Sequence, residues 1–248
     1  MFQREMAVRT VRLARYAYRA RDAAAAAVAE EGLASFRFFD GPSTQAITAT
    51  SDDHVFLAFR GTESRNPVDW ARDAQFAPQL GELDGRVHSG FRAALNEVWA
   101  AVEASLEVAA KPIVVTGHSL GAGLAVLAAA RAVGFGHRVA SVYLYGCPRP
   151  GLADFRSAYD RRLQSLTFNV INHIDLVTRV PFLAQGFRHV GRRMYFDALG
   201  DFHQDAGAWH IAADDLRYRL RHFGRIQSIG LGPHAMGAYV NSVDSVTT

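Results

Sequence analysis

Cysteine and lysine are almost absent from this chain of 248 residues: it has one of each, Cys147 and Lys111. A lone cysteine excludes an internal disulfide, so the fold does not depend on an oxidising compartment. Cys147 follows an apolar run, Val142 to Tyr145, and reads as a small buried residue rather than a reactive thiol. Apart from Lys111 the basic residues are all arginine, dispersed along a chain of net charge +3. No block of like charge and no aromatic–basic interleaving is present, which argues against nucleic acid as a partner. No apolar run reaches the roughly 18 residues a membrane-spanning helix needs. The longest candidate, Ala23 to Ala29, is closed by Glu30 and Glu31. Internal repeats, low-complexity tracts and interdomain linkers are also missing. One domain over residues 1–248 is the expectation.

The N-terminal stretch carries Arg4, Arg9, Arg12, Arg15, Arg19 and Arg21 within a helical pattern rather than ahead of an apolar core. A secretory leader therefore reads poorly, and a cytoplasmic or peripherally membrane-associated protein is expected. Met6, Val8, Val11, Leu13, Tyr16 and Tyr18 predict an amphipathic N-terminal helix over about residues 1–30. Packing on the domain is its simpler role; lying on an anionic lipid surface is the alternative.

The most informative stretch runs from Pro112 to Arg131. A β-branched run (Ile113, Val114, Val115, Thr116) meets Gly117-His118-Ser119-Leu120-Gly121 and passes into a small-residue helix. On its own, G-x-S-x-G arises by chance in roughly one chain in ten of this length. The flanking strand and helix make it a nucleophile elbow. The sharp turn projects the Ser119 hydroxyl above the sheet edge, and a Cβ at Gly117 or Gly121 would obstruct the strand–helix crossing. The N–H of Leu120, at the helix start, points where a tetrahedral oxyanion would form.

Elsewhere strands are expected at 35–39, 44–50, 54–60, 138–145 and 166–172, with another near His189 to Phe196. A polar, loop-rich passage covers Gly61 to Gly90. Helices follow at about 91–109 and 152–163. This alternation implies an α/β fold with a mainly parallel central sheet and helices on both faces.

A serine hydroxyl needs a base, and the base needs an orienting acid. Asp175 directly follows the strong strand ending at Val170-Ile171-Asn172. Asp197, Asp201 and Asp205 are alternatives without so direct a lead-in. Of the later histidines, His234 lies in the Gly/Pro-shaped loop Gly230 to Tyr239, from which an imidazole can be lowered onto the serine. His210 is the runner-up, while His189, His203 and His222 complete the set. His118 cannot serve its own neighbour, because the turn points the two side chains apart; it supports the turn. No cluster at metal-ligand spacing is seen in the sequence, so no cofactor or metal is expected.

Phe59-Arg60-Gly61-Thr62, Asp69-Trp70-x-x-Asp73, Val87-His88-Ser89-Gly90-Phe91, Gly117-His-Ser-Leu-Gly121, Tyr145-Gly-Cys-Pro-Arg149, Asn172-x-x-Asp175 and His234 occur in one order across about residues 34–240. In this the chain resembles the fungal-type class 3 lipases of the α/β-hydrolase fold. Leu176 and Pro150 depart from the usual proline and small aliphatic residue. The resemblance implies a serine esterase acting on acylglycerol-type lipid esters, with Thr62 as a second oxyanion donor beside Leu120. It also implies a short lid over about 63–76, with Val68, Trp70 and Phe76 as its large apolar residues. Lacking the signal and disulfides of secreted fungal relatives, the chain is expected to be a bacterial member. Phospholipase A1 and short-chain carboxylesterase activities are the nearest alternatives; a non-catalytic lipid-binding module is the alternative from another class.

Overall fold

The computed structural model describes residues 1–61, 77–221 and 232–246. Strands β1 (Ala34–Asp40), β2 (Gln45–Thr50) and β3 (Val55–Phe59) form an antiparallel meander. Their connections are a few residues long, too short for the crossover a parallel pairing needs. Strands β4 (Pro78–Leu80) and β5 (Arg86–His88) make a separate small hairpin. The main sheet continues from β3 in parallel through β6 (Ile113–His118), β7 (Val139–Tyr145), β8 (Thr167–Asn172) and β9 (Arg192–Phe196). Strand β10 (Phe202–Gln204) closes it antiparallel, giving the order β1-β2-β3-β6-β7-β8-β9-β10. The parallel centre is the expected one. The hairpin β4–β5 fell inside the passage read as loop, because a three-residue strand such as β4, with its ends exposed, carries no apolar signal.

Period-2 alternation divides the core between the two faces of the sheet. Val55, Leu57, Phe59, Ile113 and Val115 pack against α3 (Ser89–Ala109) and α4 (Leu120–Gly134), through Leu95, Val98, Val102, Leu124 and Leu127 among others. Phe56, Ala58 and Val114 face the other way, onto Leu13 of α1 (Arg4–Tyr16) and Val28 of α2 (Arg21–Glu30). Helix α5 (Ala153–Leu163) lies on the first face through Phe155 and Tyr159. On the second face, Tyr143 and Tyr145 meet Ala7 and Val11 of α1, together with Tyr239 and Val243 of α7 (Met236–Asp244). Each fully buried side chain of this size stabilises the fold by about 2 kcal/mol. Strands β3 and β6 are buried along their whole length, which is why both read as continuous apolar runs. Among the described residues no helix is long and apolar enough to cross a membrane.

The single N-terminal helix expected over about 1–30 is two helices, broken between Tyr16 and Arg21. The apolar face of α1 is taken up by the sheet, with Ala7, Val11, Leu13 and Ala14 buried. The break sets Tyr18 against His118. Helix α6 (Ala208–Arg221) follows β10, and the segment after it leads to α7.

Candidate active site

The turn between β6 and α4 holds Ser119 at φ 58°, ψ −128°, a conformation L-residues adopt only under constraint. A Cβ on Gly117 would lie 2.2 Å from the carbonyl oxygen of Gly121, and one on Gly121 would lie 2.3 Å from that of Phe59. Strand, helix and the exit of β3 thus touch backbone to backbone, and glycine is the only residue that fits at either position. Leu120 opens α4, so its N–H has no carbonyl of the same helix to bond and is available to a ligand atom.

Two sequence-distant loops reach this serine. Asp175 follows β8 and is fully buried; His234 precedes α7 and is also buried. The Ser119 hydroxyl donates to His234 Nε2 at 2.9 Å, and His234 Nδ1–H donates to Asp175 Oδ2 at 2.8 Å. Serine, imidazole and carboxylate therefore form one hydrogen-bonded line. Gly146, at φ +61°, lies beneath it: a Cβ there would be 2.9 Å from Asp175 Oδ2 and 3.0 Å from His234 Nδ1.

Burial alone would raise the pKa of the Asp175 carboxyl. The His234 imidazole, the hydroxyl of Tyr239 and the N–H of Val177 outweigh it and hold the pKa below the ordinary value. Tyr239 donates to Oδ2 at 2.6 Å, and Val177 N–H to Oδ1 at 2.8 Å. Asp175 is thus kept as a carboxylate with both oxygens occupied. Asn172 donates to the Pro233 carbonyl at 3.1 Å, tying the acid loop to the base loop.

His118 has a defined part in the same network. Its Nε2–H donates to the His234 backbone carbonyl at 2.8 Å, and its ring stacks on that of His234 with centroids 4.7 Å apart. Tyr18 completes the chain by donating to His118 Nδ1 at 2.8 Å. Burial, aided by the nearby His234, lowers the His118 pKa to about 3, so the ring is neutral and this tautomer is fixed. The expected support of the turn is in fact support of the facing histidine.

The alternatives lie elsewhere. Asp197 pairs with His203, Asp205 with Arg192, and the His210 ring sits 4.3 Å from that of His203. His189 bonds the Thr178 carbonyl and Asn169. His222, Thr62, Val68, Trp70 and Phe76 fall outside the described residues. Gly61, next to Thr62, is described: a Cβ on it would come within 3.1 Å of Ser119 Cβ. Cys147 is free and buried, and burial pushes its thiol pKa up, away from reactivity. The residue missed by sequence reasoning is Tyr239. No local signal marked it: His234 lies before α7, Tyr239 lies inside it, and the carboxylate that Tyr239 meets is 64 residues away.

The model of the family named lipase (class 3) matches residues 56–185, more than half of the chain. The chain belongs to the class 3 lipase family. Its relatives include a secreted mono- and diacylglycerol lipase from Fusarium solani, 32% identical over 166 residues, covering 63% of this chain and 48% of the relative. Another, from Penicillium cyclopium, is 35% identical over 168 residues, covering 63% of this chain and 53% of the relative. The chain thus spans about half the length of the curated relatives it matches. The Rhizomucor miehei triacylglyceride lipase structure superposes with a TM-score of 0.72 at 22% identity, covering 93% of this chain and 91% of the other. That likeness carries the fold, which is the α/β-hydrolase fold.

Proposed function

We propose that this class 3 lipase hydrolyses acylglycerol-type lipid esters through an acyl-enzyme on Ser119. The observation that carries the reading is the unbroken line Ser119 Oγ, His234 Nε2, His234 Nδ1, Asp175 Oδ2. His234 takes the hydroxyl proton as Ser119 attacks the ester carbonyl; the resulting imidazolium is stabilised by the Asp175 carboxylate. The N–H of Leu120 and residue Thr62 receive the oxyanion, a role for Thr62 supported by the closeness of Gly61 to Ser119. His234 then protonates the departing alcohol, and water, deprotonated by the same imidazole, releases the acid. Protein groups supply every proton transfer, so the mechanism calls on no cofactor.

The substrate class is supported by the mono- and diacylglycerol lipases among the relatives. A cytoplasmic or a peripherally membrane-associated setting belongs to the same proposal, and a free, buried Cys147 fits a reducing compartment. Residues 63–76, with Val68, Trp70 and Phe76, are proposed as the lid.

Ser119→Ala tests the reading. Turnover of p-nitrophenyl butyrate and of a diacylglycerol emulsion should fall by about 10³-fold or more, with the melting temperature preserved. Retention of a tenth of the wild-type rate removes Ser119 as nucleophile. Parallel assays on triolein and phosphatidylcholine separate a neutral-lipid enzyme from a phospholipase A1.

A further inference from the structure

The fold assembles a second set of chemistry-bearing side chains on elements that carry none of Ser119, Asp175 and His234. Asp197 stands just after β9, His203 in the middle of β10, and His210 in the first turn of α6. Each offers a ligand atom, and the three atoms lie within 4.8 Å of one another. His203 Nε2 and Asp197 Oδ2 are already 2.9 Å apart, and the rings of His203 and His210 are tilted together at 4.3 Å. Linear spacing could not reveal this set, because a β-turn and a strand–helix connection bring the residues together.

We propose that Asp197, His203 and His210 form a zinc site that fastens the β9–β10 hairpin to the start of α6. Two imidazoles and one carboxylate match zinc's preference for nitrogen and oxygen donors, with water as the fourth ligand; magnesium and calcium prefer oxygen alone. Zinc bonds of about 2.0–2.1 Å place tetrahedral donors about 3.3 Å apart. The Asp197–His203 pair already has close to that spacing, and the ligand atom of exposed His210 lies within 4.8 Å of both. The carboxylate is itself held in place: Asp197 Oδ1 accepts from the N–H groups of Leu199 and Asp201 at 2.9 and 3.0 Å. The site has a mechanical reason to exist, since α6 presents Trp209, Leu216 and Leu220 to solvent and gains little hold from apolar packing.

The test is titration of metal-free protein with Zn²⁺ by calorimetry, and with Co²⁺ followed by its visible spectrum. The wild type should take up one equivalent, give the intense absorption of a tetrahedral cobalt centre, and melt about 5 °C higher in saturating Zn²⁺. His210→Ala, which leaves the Asp197–His203 bond intact, should weaken binding at least tenfold and abolish the thermal shift. His203→Gln should do the same, with circular dichroism reporting a retained fold. His54→Ala, on a different part of the sheet, should bind as the wild type does. Absence of one-equivalent binding in the wild type overturns the proposal. So does binding that survives unchanged in both His210→Ala and His203→Gln.

Discussion

Two helices flank the candidate site, and they are held in opposite ways. Every residue of α4 from Leu120 to Ala130 is buried, and all are apolar or glycine. In α6 the only buried side chain between Ala208 and Leu220 is charged: Asp214. That carboxylate accepts from His173 Nδ1–H at 2.9 Å, from the Tyr195 hydroxyl at 2.6 Å and from the N–H of Ala198 at 3.2 Å. Asp215 adds an ion pair to Arg179 at 3.2 Å. His173 lies two residues before Asp175, so α6 holds that loop chiefly through polar groups, with the Tyr218 ring set edge-on to His173 at 4.3 Å. Ser119, the proposed nucleophile, is therefore set by backbone geometry and apolar packing, which are dense and non-directional. Asp175 and His234, the proposed acid and base, are set by directional bonds between residues far apart in the chain, each replaceable and each separately breakable.

The two sides should respond differently to mutation. The largest effect is expected at the elbow. Gly121→Ala places a methyl against the carbonyl oxygens of Phe59 and Arg60, at 2.3 and 2.7 Å, where nothing flexible can give way. A loss of about 3 kcal/mol or more in urea-unfolding free energy is expected, with activity lost because the fold is lost. Wild-type stability in that variant would show that the elbow can yield to a Cβ and is not rigidly set.

Asp214→Ala should cost less globally, about 2 kcal/mol, but the damage should be local. Hydrogen exchange is the readout: amides of α6 and of the 173–179 loop should lose protection, while those of α4 and β6 keep theirs. Uniform loss of protection across both regions would show that α6 is part of the main core after all.

The smallest structural effect is expected from Tyr239→Phe, which removes the 2.6 Å bond to Asp175 Oδ2 and the acceptor of the Asn172 N–H at 3.2 Å. The Asp175 oxygens keep His234 and the N–H of Val177. kcat should fall about tenfold with KM and the melting temperature little changed, because the bond matters most when His234 becomes charged. A change confined to KM would place Tyr239 at the substrate instead of behind the acid.

What was legible in the sequence follows the same division. The elbow is contiguous, so Ile113 to Ala130 contain their own explanation: β-branched strand, two obligatory glycines, small-residue helix. Asp175 was found through the strand it terminates, and His234 through the glycines and proline that shape its loop. The Tyr239 and His118 contacts were not legible, because they arise where α7 and the α1–α2 break meet β6 and β7 in three dimensions. The break itself lacks glycine and proline, and so gave no local signal. Strands β4 and β10 are each three residues long, below the length at which alternation can be read. The roles of Thr62 and of the 63–76 lid came from family resemblance, and those residues lie outside the described part of the chain.

The proposed reaction depends above all on Ser119 being a nucleophile activated by His234 and Asp175. Reaction with diethyl p-nitrophenyl phosphate tests it most directly, because the reagent is attacked by an activated serine and stops at the covalent adduct. Peptide mapping by mass spectrometry should find one phosphoryl group per chain, on Ser119, with release of one equivalent of p-nitrophenol. His234→Ala should slow that release by about 10³-fold while keeping the fold. An adduct on another residue, or labelling of Ser119 at the wild-type rate without His234, would contradict the account.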